Sequence, residues 1–374
     1  MSDVIVARPN RGRWRIEKAP TPSRLASILT PAASIALGLL TGAVLILLTG
    51  ENPLEVYGAM LSGALGDRYG WAETIVKMTP LLLTGLGVAV AFRMQLWNIG
   101  AEGQFYWGAI GAACVALFIL PDAPAIGVIP AMIVAGLLGG ALWGAIPGVL
   151  RAATGANETI TSLLLNYVAI LFADWLIHGP WRNPMAFGFP GTETFPDAAW
   201  LPRLVPYRVH LGLVFGLVAA LVLWVVMRRT RWGYEIGVMG QNERAARYAG
   251  MRTRRAIVVV MMVSGALAGL GGMSEIAGVG HQLQQNFSPG YGYTAIIVAW
   301  VGRLHPLGIV LVAFLLAALV VGGDQLQMAM QLPSAVSPML QGIILFFLLG
   351  GEALNRYRLV RGDHAVAAGE VAHG

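Results

Sequence analysis

About ten stretches of this chain are long and apolar enough to cross a bilayer, and no other feature limits its fold as severely. A crossing takes roughly 20 mostly apolar residues. Such stretches run at 31–49, 74–92, 100–120, 125–150, 157–178, 209–227, 256–278, 291–303, 307–323 and 337–354. In lipid every backbone polar group must find its partner inside the protein, which segments of this length achieve as helices. The expected fold class is therefore all-α integral membrane. The stretches at 100–120 and 291–303 begin in Gly-rich polar sequence, so a full crossing and a re-entrant loop stay open there.

Composition agrees. Hydrophobic residues fill 56% of the 374 positions and charged ones only 12%, against roughly 25% charge in soluble domains, and mean hydropathy is +0.67. The 48 glycines and 20 prolines suit close helix contacts and broken helices in membranes. A net charge of +6 and a pI near 9.7 would also fit a nucleic-acid binder. The arginines, however, stand at the ends of apolar stretches and not on one amphipathic face, so the expected partner is the bilayer and not nucleic acid. Cys114, the single cysteine, excludes an intrachain disulfide and a cysteine metal cluster.

Charge placement also predicts topology. With the amino terminus in the cytoplasm, twenty Lys and Arg residues fall inside and five outside, namely Arg68, Lys77, Arg182, Arg203 and Arg208. A missed span would reverse the sign downstream, so the bias points to an even number of spans with both termini inside. The resulting organisation is a basic cytoplasmic tail at 1–30, with Arg8, Arg11, Arg13, Arg15, Lys18 and Arg24, then a membrane domain at 31–355 and a cytoplasmic tail at 356–374. No A-x-A cleavage pattern follows the first stretch, which is expected to be retained. Five stretches precede a Pro- and Trp-rich outer loop at 179–208 and five follow it, which predicts two inverted five-helix halves, a transporter architecture. That inference rests on the count, since the halves share no evident sequence similarity.

Three clusters place polar groups at membrane depth, where a carboxylate costs about 2.5–3.5 kcal/mol on insertion scales unless partnered. The first, WNIGAEGQFYWGAIGA at 97–112, holds Asn98, Glu102 and Gln104 among glycines. These residues either fix a tight inter-helix turn or face a polar cavity. In TGANETITSLLLNY, 154–167, Asn157 and Glu158 suit a helix start, while Asn166, about two turns further in, either bonds another helix or lines a path. In SGALAGLGGMSEIAGVG, 264–280, Gly265, Ala268, Gly269, Gly272 and Ala277 permit close helix approach, and Glu275 either makes a helix-end contact or lines the path. Within the inner loop, 228–255, residues 241–250 have the spacing of a short amphipathic helix closed by Gly250.

No catalytic constellation accompanies them. The two lysines, Lys18 and Lys77, are not preceded by glycine, so G-x-x-x-x-G-K-[ST] is absent, as are G-x-S-x-G and H-E-x-x-H. His281 and His305 have no second ligand at helical spacing, so no metal, cofactor or enzymatic activity is expected of this chain.

NIGAEGQ at 98–104, NETITSLLLNY at 157–167, GQNERAARYAGM at 240–251, SGALAGLGG at 264–272 and SPGYGYTAIIVAWVGRLHPLG at 288–308 together resemble the nucleoside and simple-sugar permeases of ABC importers. The resemblance spans about residues 40–355, and the extended amino terminus with the NETITSLLLNY form looks like the first of the two permease subunits. It implies a type II importer-like fold in the bacterial inner membrane. The implied partners are a second homologous permease in a heterodimer, a cytoplasmic ATP-binding subunit and an extracytoplasmic solute-binding lipoprotein. It further implies that the inner-loop helix docks on the ATPase, through Asn242, Glu243, Arg244, Ala245, Ala246, Arg247, Tyr248 and Gly250. Asn98, Glu102, Gln104, Asn166 and Glu275 become the path or gating candidates. An ion-coupled secondary transporter of a small polar solute is the alternative reading.

Overall fold

The computed structural model describes residues 14–18, 24–185, 188–330 and 335–361. Arg8, Arg11 and Arg13 of the basic tail, and 362–374 of the final tail, lie outside the described residues. In chain order the elements begin with β1 (Trp14–Lys18), α1 (Arg24–Leu48), α2 (Pro53–Leu65), α3 (Arg68–Arg93) and α4 (Ala101–Cys114), which runs into a π-helical turn at Val115–Ile119. Then come α5 (Ala125–Thr154), α6 (Glu158–His178), α7 (Gly212–Arg229), α8 (Arg231–Gln241), α9 (Glu243–Tyr248) and α10 (Thr253–Glu275), extended by a π-helical turn at Ile276–Gly280. Last are α11 (Tyr291–Val301), α12 (Pro306–Ala329), α13 (Val336–Arg356) and β2 (Tyr357–Arg361).

These elements form two compact units, 54–337 and the paired ends 1–53 with 338–374. Within the second of these, β1 pairs antiparallel with β2. There α1 and α13 meet so closely that a Cβ on Gly38 would lie 3.0 Å from Ile344 Cα.

Among the described residues, seven helices are long and apolar enough to cross a membrane: α3, α4 with its π turn, α5, α6, α7, α10 with its π turn, and α12. Ala32–Leu48 and Pro53–Leu65 supply an eighth if they count as one span. Every apolar stretch found in the sequence carries a helix; among the described residues seven or eight crossings, not the expected ten, meet the length and composition of a full span. One stretch falls short because its helix is brief: Tyr291–Val301 has 11 residues, cut off behind Pro289 and Gly290, whereas the last stretch, 337–354, lies in α13, a helix of 21 residues. α2 has no counterpart among the ten stretches.

The 54–337 unit is built around α3 and α10. α3 is buried along nearly all of its membrane-spanning length, as expected of a helix enclosed by others. α10 packs through glycine. A Cβ on Gly265 would lie 2.2 Å from the Gly140 carbonyl oxygen of α5, and one on Gly272 would lie 2.0 Å from the Phe105 carbonyl oxygen of α4. The small residues of 264–280 thus let three backbones touch, the packing mode available in lipid, where burying apolar side chains supplies little drive.

One end of the unit carries α8 and α9; there a Cβ on Gly240 of α8 would lie 2.2 Å from the Arg93 carbonyl oxygen, at the end of α3. The opposite end carries the 179–208 loop, whose Phe195 and Leu201 amides donate to the carbonyls of His281 and Ala277, at 2.7 and 2.9 Å, where α10 ends.

Candidate functional site

Asn98, Glu102, Gln104 and Asn166 come together in one buried lattice; none is more than 2% exposed. The chain leaves α3 through Gln95, in the left-handed region at φ 59°, and reaches α4 by a tight turn. Asn98 Nδ2 donates to Gln104 Oε1 and to Ser264 Oγ, each at 2.9 Å. Asn98 Oδ1 accepts from the Gly100 amide at 3.0 Å and from Gln104 Nε2 at 3.1 Å. All four hydrogen-bonding positions of that amide are therefore filled within the protein. Asn166 of α6 joins from the other side: its Oδ1 accepts from the Gly103 amide and its Nδ2 donates to the Ile99 carbonyl, both at 2.8 Å. The α6 start is capped as the sequence suggests, with Asn157 Oδ1 accepting from the Thr159 amide at 2.9 Å.

Glu102 reaches out of this lattice to α11. Its Oε2 accepts from the Gly292 amide at 2.6 Å, and the Ser288 hydroxyl and Tyr293 amide also bond to it. A carboxylate at the first turn of a helix meets unsatisfied N–H groups and the positive end of the helix dipole. Gly292 is obligatory here, since a Cβ would stand 2.2 Å from the Glu102 backbone nitrogen.

Glu275 lies elsewhere, at the end of α10 facing the other flank of α11. The Tyr291 hydroxyl donates to its Oε1 at 3.4 Å, while its Oε2 is buried without a partner. The ammonium of Lys77 sits 5.7 Å from the centre of the Tyr291 ring. Lys77, counted with the outer residues in the sequence, belongs to the interior of α3. One turn before it, Glu73 is 6% exposed and forms an ion pair with Arg208, whose Nε donates to Glu73 Oε1 at 3.0 Å. Asp324, near the end of α12, is exposed and lies within Coulombic reach of Lys77 and Glu73. Sequence reading passed over all three, though Lys77 is a charge inside the 74–92 stretch and Glu73 and Asp324 directly flank the stretches 74–92 and 307–323.

At the opposite end, the inner-loop segment is two helices and not one. α8, which the sequence reading left in the loop, starts at Thr230, whose hydroxyl accepts from the Gly233 amide at 3.3 Å. α9 starts at Asn242, whose Oδ1 accepts from the Ala245 amide at 3.0 Å. Glu243 pairs with Arg247 one turn on, and Gly250, at φ 78°, closes the helix. Ala246 is fully buried, whereas Arg244, Ala245 and Arg247 are exposed and Tyr248 is 94% exposed. Beside α9 lies an open cavity of about 830 Å³ lined by Arg231, Trp232, Tyr234, Arg252 and Arg255, among others.

The 179–208 loop is clamped over the end of α10 by Trp200, whose ring stacks on His281 with centroids 3.8 Å apart. Next to it His210 is 1% exposed; its Nδ1 accepts from the Gly212 amide at 3.2 Å and its Nε2 has no partner. Burial, reinforced by the neighbouring His281, pushes the His210 imidazole down to about 4.

Comparison with known proteins agrees with the helical membrane architecture. A family model described as branched-chain amino acid transport system / permease component matches residues 70–349. The glucose ABC transporter permease protein TsgB13 of Haloferax volcanii is 37% identical over 341 residues, covering 88% of this chain and 89% of that protein. The guanosine ABC transporter permease protein NupP of Bacillus subtilis is 34% identical over 339 residues, covering 89% and 96%. A second guanosine ABC transporter permease protein of that organism, NupQ, is 26% identical over 245 residues, covering 63% and 75%. With a family model over most of its length and relatives this similar from end to end, the chain belongs to the permease-component family of ABC transport systems.

Proposed function

We propose that this permease forms half of the translocation path for a nucleoside or simple sugar, beside a second, related permease, in the bacterial inner membrane. The observation that carries the solute class is the similarity along nearly the whole chain to permeases named for glucose and guanosine. The existence of two guanosine permeases in one organism, both similar to this chain, favours a heterodimer over a homodimer. A solute-binding lipoprotein delivers the solute to the end that carries the 179–208 loop, and a separate ATPase docks at the end that carries α8 and α9. Both termini lie in the cytoplasm in this reading, on the charge bias of the loops.

α9 suits the ATPase-coupling role because it is anchored by Ala246 and offers Arg244 and Tyr248 outward. A large aromatic residue this exposed on a charged helix is the type that fills a partner's pocket. The neighbouring cavity gives that partner a complementary recess. Asn98, Glu102, Gln104 and Asn166 act in gating and not as solute ligands, because their polar atoms already hold α4, α6, α10 and α11 in one arrangement.

Reconstitution of the four-component system in proteoliposomes tests this reading. Uptake of radiolabelled guanosine or glucose that requires ATP and the ATPase is expected. Uptake that proceeds without ATP and collapses with an ionophore overturns it.

A further inference from the structure

A groove of about 510 Å³ opens on the flank of the 54–337 unit, between α4, α5 and α6. Its floor is a stack of aromatic rings. The Trp107 ring lies 4.7 Å from that of Trp143 on α5 and 5.1 Å from that of Phe172 on α6, the latter pair within 9° of parallel. Trp143 turns its N–H inward, to within 3.0 Å of where a Cβ on Gly103 would stand. No charged or amide side chain lines the groove. Its walls offer ring and aliphatic carbon, with the thiol of Cys114 among them.

The surroundings select what fits there. α5 and α6 are outer helices, with only 33% of each membrane-length window buried. Leu138 and Leu171, the chain neighbours of the lining residues Gly139 and Phe172, are more than half exposed, so the groove is continuous with the bilayer-facing surface. A seam between two membrane helices is built from small or polar residues. The two glycines of the groove are already used within this chain: a Cβ on Gly111 would lie 2.8 Å from the Ala135 carbonyl oxygen, and one on Gly139 2.4 Å from that of Trp107. What remains outward is bulky, above all Leu142 and Ile146. Size decides the rest. Trp107 to Cys114 and Gly139 to Ile146 each cover about 10 Å of helix, so 510 Å³ corresponds to a cross-section of about 50 Å². A helix with its side chains is about 10–12 Å across and takes roughly 80 Å² or more. The groove is too narrow to seat one.

We propose that this groove is a lipid site, holding an acyl chain of a bilayer phospholipid against the Trp107, Trp143 and Phe172 rings. The ester end of the lipid lies at the level of Trp181, which lines the groove just past the end of α6 and packs 5.1 Å from Phe118, a pair suited to the headgroup boundary. The drive is contact and not exclusion of water. In hydrocarbon a concavity without an occupant forfeits dispersion along its whole lining, and a flexible chain restores it. The chain bridges α5 and α6 over α4. The site requires only that these helices cross a bilayer and is independent of the solute carried.

The test uses the full chain reconstituted in phosphatidylglycerol and phosphatidylcholine vesicles, with a trace of phosphatidylcholine carrying a diazirine midway along one acyl chain. Extraction into detergent and washing strip loosely held lipid before irradiation. Adducts are then expected in 107–114 and 139–146 at least about tenfold more often than in 307–315, a retention difference of about 1.4 kcal/mol. That control segment carries Leu307, Leu311 and Leu315, exposed on α12. Octyl methanethiosulfonate, which forms a disulfide with Cys114 in the folded protein and fills the groove, is expected to abolish the groove adducts. Cys114→Phe is expected to do the same. Co-assembly with the second permease is expected to leave the wild-type adducts in place. Adducts spread evenly over groove and control segment, or adducts indifferent to both fillers, overturn the site. Adducts lost on co-assembly also overturn it, by assigning the groove to a protein surface.

Discussion

Glu102 and Gly292 are 190 positions apart in the chain, yet the carboxylate of the first accepts the backbone N–H of the second at 2.6 Å. This contact ties the start of α4 to the first turn of α11, a helix of 11 residues that is too short to hold its place in a bilayer by hydrophobic length. Replacing Glu102 by Ala leaves the buried amides of that turn without an acceptor, a loss of about 1–3 kcal/mol. The expected result is a lower melting temperature in detergent, with Glu102→Gln intermediate between Ala and wild type. Equal melting of all three forms refutes the tie.

Tyr248 offers the opposite case, a residue whose side chain the fold does not use. Its truncation to Ala should change stability by no more than about 0.5 kcal/mol, because it is 94% exposed. ATP-driven uptake and co-purification of the ATPase are nevertheless expected to fall sharply. Full activity in Tyr248→Ala combined with Glu243→Arg and Arg244→Glu would remove α9 from the coupling pathway.

The buried imidazole of His210 makes stability depend on acid. Its pKa is lowered from 6.5 to about 4 in the folded protein, so between those values the unfolded chain takes up a proton that the folded chain does not. Stability is therefore complete above pH 6.5 and declines as pH falls towards 4. Melting temperature followed across that range should drop in the wild type and drop less in His210→Gln. Identical slopes assign the acid sensitivity to other groups.

The crossing of α10 with α4 and α5 tolerates no added volume. A Cβ on Gly269 would lie 2.3 Å from the Gly136 carbonyl oxygen, and backbone cannot yield as a flexible side chain does. Gly269→Val is expected to cost about 1–3 kcal/mol or more, read as loss of folded yield and of monodispersity in size-exclusion chromatography. Gly237→Ala, at an open position of α8, is the matched control and should be silent.

How far the sequence spoke for itself depended on whether a residue's partner was near in the chain. Asn157, Asn242 and Gly250 make local caps, and their type and spacing disclosed them. Glycines at 265, 269 and 272 were legible as a packing face through their period. The partners of Asn98 and Asn166 on other helices were not, because Ser264 and Gly103 lie 166 and 63 positions away. Lys77 was misread for a different reason: a window averaged over 20 residues absorbs one ammonium without losing its apolar character. α11 was overextended because an apolar stretch reveals composition and not where proline and glycine halt a helix.

α10 follows α9 after only four residues, 249–252, and then runs as 23 helical residues, about 35 Å, before ending at Glu275. Its backbone is locked against α4 and α5 by the glycine contacts, so it has little freedom to bend or slip between them. Any shift imposed at its α9 end must therefore carry α4 and α5 along with it, so these three helices are expected to move as one rigid body and not as separate rods.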